Sequence, residues 1–241
     1  WNDSGKITID VQASTGTSFE LQRWATQQGN LIDGMLWFVG DFDGDYADDL
    51  AVVWNDGDKV TIDVQASTGT SFELQRWATQ QGNLIDGMLW FVGDFTANRK
   101  DDLAVVWNDS GKITIDMQAS TGTSFELQRW ATQQGNLIDG MFWFVEDFTA
   151  DRKDDLAVMW NDSGKITIDV QASTGTSFEL QRWATQQGNL IDGMLWFVGD
   201  FDGDHAGDLA VVWNDVGKIT IDVFVAKVSR FHYLPIVIRN S

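Results

Sequence analysis

Nine residues, Asp41 to Asp49, read DFDGDYADD and place carboxylates at the first, third, fifth and ninth positions of one loop. Alternate side chains of a tight turn point toward a common centre, where a hard cation offsets their mutual repulsion. Asp41, Asp43, Asp45 and Asp49 are therefore a candidate metal site of the calcium kind. The loop returns as DFDGDHAGD, with Asp200, Asp202, Asp204 and Asp208. Two loops between them differ, reading DFTANRKDD and DFTADRKDD. Thr96 and Asn98 replace two acids in one. Thr149 replaces one in the other and leaves Asp147, Asp151 and Asp155 as a weaker set. Arg99, Lys100, Arg152 and Lys153 add positive charge there, and an internal ammonium or guanidinium is the expected substitute for the ion, satisfying Asp94, Asp102, Asp147 and Asp155. The competing reading of all four loops is a solvated acidic turn with no ion.

The rest of the composition narrows the chemistry. With no Cys and only His205 and His232, a metal site must be built from oxygen, which favours calcium over zinc. A formal charge of −20 repels phosphate backbones and anionic headgroups, so nucleic acid and membrane surfaces are poor partners. No apolar run approaches the roughly 18 residues that span a bilayer, so membrane insertion is not expected. The sequence opens on Trp1 without a signal-like stretch, and an extracellular or cell-surface location is favoured. NDS at Asn2, Asn108 and Asn161 fits a glycosylation acceptor, but Asn-Asp-Ser-Gly is also plain turn chemistry.

A second set of residues suits ligand recognition. The series Trp24, Trp77, Trp130 and Trp183 ends an alternating FELQRW strand beside Arg23 or its copies and runs into Gln27, Gln28, Gly29 and Asn30. An aromatic plate next to guanidinium and amide groups is what a pyranose needs, stacking its apolar face and orienting its hydroxyls. A tryptophan covering a sheet rim is the structural alternative. The Trp54 and Trp37 series lie inside apolar strands and read as core.

These residues recur because the chain repeats every 53 residues, with Trp1, Trp54, Trp107, Trp160 and Trp213 opening the same phrase. The copies are 1–53, 54–106, 107–159, 160–212 and a partial 213–241, whose end FVAKVSRFHYLPIVIRNS departs from the pattern. Each copy reads as four strands: continuous LAVVW, alternating KITIDV and FELQRW, and apolar MLWFV before the Asp loop. Four short antiparallel strands repeated as a block predict an all-β fold, a β-propeller of four-stranded blades in one domain, in preference to a solenoid of shorter coils. Starting each blade at LAVVW gives whole blades at 49–93, 102–146 and 155–199. Five blades with two incomplete ones, the tail supplying an edge strand around its single Pro, is the favoured closure. Four blades, or a ring completed by a homo-oligomer, are the alternatives.

GDFDGDYADDLAVVW followed by KVTIDVQASTGTSF resembles the FG-GAP and VCBS-type repeats of integrin-like β-propellers, including fungal and bacterial lectins built from such blades. The resemblance covers nearly the whole chain. It implies a calcium ion, usually structural, in a loop between the outer or linking strand of one blade and the inner strand of the next. The sequence departs from that pattern where family loops carry Gly at the sixth position, here Tyr46 and His205, and a left-handed backbone there costs more without Gly. The expected function is multivalent carbohydrate binding, because repeated weak sites gain avidity. A protein-interaction scaffold stabilised by calcium is the alternative. An enzyme is not expected and no catalytic residue is assigned: the paired carboxylates sit where an ion would occupy them, and neither His has an evident partner.

Overall fold

The computed structural model describes residues 1–2, 4–226 and 232–236, the last five as backbone. Among the described residues there is no helix, and eighteen strands form five antiparallel sheets. The first sheet is β1 (Lys6–Ser14) and β2 (Phe19–Gln28). The second is β3 (Leu36–Gly40), β4 (Asp49–Asp56), β5 (Lys59–Ser67) and β6 (Phe72–Gln81). The third is β7 (Leu89–Gly93), β8 (Asp102–Asn108), β9 (Lys112–Ser120) and β10 (Phe125–Gln134). The fourth is β11 (Phe142–Glu146), β12 (Asp155–Asn161), β13 (Lys165–Ser173) and β14 (Phe178–Gln187). The fifth is β15 (Leu195–Gly199), β16 (Asp208–Asp215), β17 (Lys218–Val225) and β18 (His232–Ile236).

The propeller-like repeat of four-stranded sheets is as the pattern predicts, but the frame of each sheet is shifted by one strand. MLWFV opens a sheet instead of closing it: Leu36 pairs with Val53 and Gly40 with Asp49, so β3 and β4 form a hairpin around the acidic loop. That loop therefore lies within a sheet, between its first and second strands, and not between blades. The connection from β2 to β3 is the one that crosses between sheets.

Neighbouring sheets touch along two lines, β3–β7–β11–β15 and β2–β6–β10–β14. Between them lie the apolar faces of the alternating strands. Phe42, Phe95, Leu103, Leu156, Ile62, Ile115 and Ile168 are fully buried there, so each sheet covers a face its neighbour cannot bury alone. The row does not close into a ring. The N-terminal pair β1–β2 stands as its own partial sheet, and β18, from the divergent tail, takes the fourth place in the last sheet with Pro235 on the outer edge, where a missing N–H is tolerated. The remaining tail, 227–231 and 237–241, lies outside the described residues.

Candidate functional site

The acidic loops owe their shape to their first Asp. Asp41 Oδ1 accepts the N–H groups of Gly44 (2.8 Å) and Asp45 (3.1 Å), and its Oδ2 accepts that of Tyr46 (2.9 Å). This winds the loop so tightly that Gly44 and Tyr46 both take left-handed backbone, φ 83° and 73°. His205 does the same at φ 72°, so the sixth position is left-handed without Gly, held by the carboxylate opposite. Asp49 lies fully buried at the foot of the hairpin, its oxygens accepting N–H groups from Phe42 (3.1 Å) and Ser67 (2.7 Å).

Carboxylate oxygens of Asp41, Asp43 and Asp49 converge within 4.8 Å of one another, and so do those of Asp200, Asp202 and Asp208. These two clusters could hold a metal ion. The fifth-position acids expected to join them turn along the loop instead: Asp45 accepts the N–H of Ala47 (2.8 Å) and Asp204 that of Ala206 (3.0 Å). Among the described residues no such cluster forms from Asp147, Asp151 and Asp155, because Asp151 is held by the backbone N–H and the ammonium of Lys153.

In the middle loops the expected substitution of the ion by a side-chain cation is seen only where Lys153 pairs with Asp151. Among the described residues no ion pair reaches Asp94, Asp102, Asp147 or Asp155. Lys100 instead lies between the neighbouring sheet's acidic loop and a turn of its own sheet: a Cβ on Gly44 would meet its Cγ at 3.0 Å, and one on Gly122 would meet its Cε at 2.9 Å. Asp102 and Asp155 are left buried, and burial pushes each carboxyl up to about 7 against the opposing pull of the Ser120 and Ser173 N–H groups. Burial likewise raises Asp49 to about 6.

Two of the tryptophans expected at the rim are turned inward, while Trp90, Trp143 and Trp196 pack against the core as expected. Trp77 and Trp130 are only 5% exposed. Their strands carry a β-bulge opposite Ile62 and Ile115, which turns the indole out of the strand's alternation and into the joint between sheets. There Trp77 meets Phe125 and Trp130 meets Phe178, each at a centroid distance of 5.1 Å. Trp24 packs on Phe72 in the same way, and Trp183 is half-buried beside the fourth sheet's core. The structure thus places Trp77 and Trp130 as core and offers no free plate at either.

The concavity lies instead between sheets. A cavity of about 390 Å³ opens between the first and second sheets, lined by Gln27, Gln28, Gly29 and Asn30 from one side and Trp37, Trp54, Asp63 and Arg76 from the other. It recurs at about 380 Å³ between the second and third, with Gln80, Gln81, Asn83, Trp90, Trp107, Asp116 and Arg129. A third, of about 470 Å³, lies between the fourth and fifth, with Gln186, Gln187, Asn189, Trp196, Trp213 and Asp222. Gln27, Gln28 and Asn30 line the first of these cavities, and Gln27 also exchanges amide hydrogen bonds with Gln65 across the joint.

One wall is a triad that sequence reasoning missed. Arg76 Nε donates to Asp63 Oδ1 at 2.8 Å, Trp54 Nε1 donates to Asp63 Oδ2 at 3.1 Å, and the guanidinium lies 5.7 Å from the Trp54 ring centroid. The register that pairs Asp63 with Arg76 brings them together, and it is set by a bulge that the sequence pattern does not show. Arg23 makes the equivalent contacts with Asp10 and Trp1. The Trp90 and Trp196 Nε1 atoms are buried without a partner.

No protein-family model and no curated protein matches this chain. Among solved structures, the Photorhabdus luminescens Tc holotoxin pore is similar over 97% of this chain at 11% identity and a TM-score of 0.50. The chain spans 13% of that protein's length. A triple arginine-to-alanine mutant of AofleA from Arthrobotrys oligospora is similar over 98% of this chain and 71% of its own, at 13% identity and a TM-score of 0.48. The rhamnogalacturonan lyase YesW is similar over 92% of this chain and 55% of its own, at 16% identity and a TM-score of 0.45. At 11% identity and a TM-score of 0.50, the first of these likenesses speaks for the fold alone.

Proposed function

We propose that this protein binds carbohydrate, without catalysis, in the pockets between its sheets, and that calcium held in the first and last acidic loops is a structural ion. The observation that carries the first part is the recurrence of one pocket type at three joints. Each is large enough for a small saccharide and presents two indoles beside a Gln-Gln-Gly-Asn turn and a buried Asp. Indole edges and faces suit the apolar side of a pyranose. Amides and the Asp–Arg pair offer donors and acceptors at fixed angles for its hydroxyls. For the ion, an all-oxygen triad with one buried member fits a hard cation, which would neutralise charge packed at the foot of the hairpin.

A glycan array probed with the folded chain in calcium tests the reading. Binding to a class of glycans is expected. Replacing Gln28, Asn30, Gln81, Asn83, Gln187 and Asn189 by Ala, all at exposed pocket rims, is expected to weaken it by about tenfold or more without loss of fold. A folded protein that binds no glycan overturns the reading.

A further inference from the structure

One acid keeps its place in all five copies of the repeat, but its cation does not. Asp10, Asp63, Asp116 and Asp169 stand in register with Arg23, Arg76, Arg129 and Arg182 and pair with them at 2.8–3.0 Å. The same guanidinium groups lie 5.2–5.7 Å from the ring centroids of Trp1, Trp54, Trp107 and Trp160. In the fifth sheet Trp213 and Asp222 recur, but the residue in register with Asp222 is Pro235. Proline offers the acid neither a charge nor an N–H.

Two buried polar groups are left without partners. Asp222 is 5% exposed, and among the described residues no hydrogen bond or ion pair reaches its carboxylate. Trp213 Nε1 is buried without a partner as well, whereas Trp54 and Trp107 donate to their aspartates at 3.1 and 2.9 Å. Both residues line the cavity between the fourth and fifth sheets. At about 470 Å³ it is larger than the cavities of about 390 and 380 Å³ that Arg76 and Arg129 help to line. Burying a carboxylate is costly unless a cation or donors meet it, and an indole face draws a cation to the same place. Gln186, Gln187 and Asn189 line this cavity as their copies line the other two.

We propose that this cavity takes a ligand whose own ammonium group stands where the other copies place an arginine, against Asp222 and over the Trp213 ring. The ligand class is an amino sugar with a free, protonated amine. Its ammonium meets the carboxylate and the indole, and its hydroxyls meet the amides of Gln186, Gln187 and Asn189. The ammonium part stands on Asp222 and Trp213 alone, and the saccharide part rests on the carbohydrate reading above. The cavities lined by Arg76 and Arg129 disfavour the same ligand, because their acids are already paired and a guanidinium repels an ammonium.

Calorimetric titration with methyl glucosaminide, and separately with its N-acetyl counterpart, tests this. The titrations are run in about 0.15 M salt, where diffuse attraction to a chain of charge −20 is screened. One amine site per chain is expected, binding the free amine about tenfold or more tighter than the N-acetyl form. Asp222→Asn removes the charge at nearly constant shape, and Pro235→Arg returns an arginine to the register of its copies. Each is expected to weaken amine binding by about tenfold or more, with circular dichroism checking that the variant folds. Amine binding that both variants lose supports the proposal even where no neutral glycan binds, a result that overturns only the reading of the other cavities. A folded chain that binds no amine, or binds it indifferently to either variant, overturns the proposal even where neutral glycans bind elsewhere.

Discussion

Trp130 shows how one extra residue in a strand moves a side chain from rim to core. FELQRW alternates, which by itself puts the indole at an exposed edge; the bulge cancels that parity and seats the ring on Phe178. Trp130→Ala is therefore expected to destabilise the fold by about 3–5 kcal/mol, measured by denaturant unfolding, and to leave glycan binding at the other pockets intact. The buried carboxyls make a second prediction. Asp102 and Asp155 sit at about 7 when folded, well above the unfolded value. The folded state binds the proton more tightly, so their contribution to stability is present at low pH and lost as pH rises through about 7. Without calcium, melting temperature is expected to rise as pH falls from ~7 toward ~5, and Asp102→Asn with Asp155→Asn is expected to flatten that slope. The acid spacing that flagged Asp41, Asp43 and Asp49 was legible in the sequence. That Asp45 turns away was not, because an Asx turn and an inward ligand have the same spacing.

At the scale of strands and joints, element identity was legible from apolar periodicity, whereas pairing was not. A nine-residue loop and a two-residue turn both separate strands, and nothing local says that the long one closes the hairpin Leu36–Val53. The close approaches of Gly40 to Asp101, Gly93 to Asp154 and Gly207 to Glu146 across neighbouring sheets were hidden for a related reason. Their partners come from consecutive copies, so aligning the copies position by position puts Glu146 and Gly207 in different columns. A double-mutant cycle checks the pairing: Gly207→Asp alone crowds Glu146 and destabilises, and adding Glu146→Gly is expected to recover about 1–3 kcal/mol of that loss. The hairpin loops give a further test. Adding calcium to chelator-treated protein is expected to raise the melting temperature, and Asp43→Asn with Asp202→Asn is expected to abolish the rise. An unchanged melting temperature would count against occupied loops.

Across the whole molecule, repetition bears on avidity. With equivalent pockets at three joints, a chain with weak single sites is expected to hold a multivalent glycan surface orders of magnitude more tightly than a free sugar. The direct measurement is a binding isotherm with a monovalent form of whichever glycan the array selects. More than one site per chain, lost together when the Gln-Gly-Asn turns are replaced, is the predicted result. A folded chain with no binding, or with a single site indifferent to those turns, would contradict it.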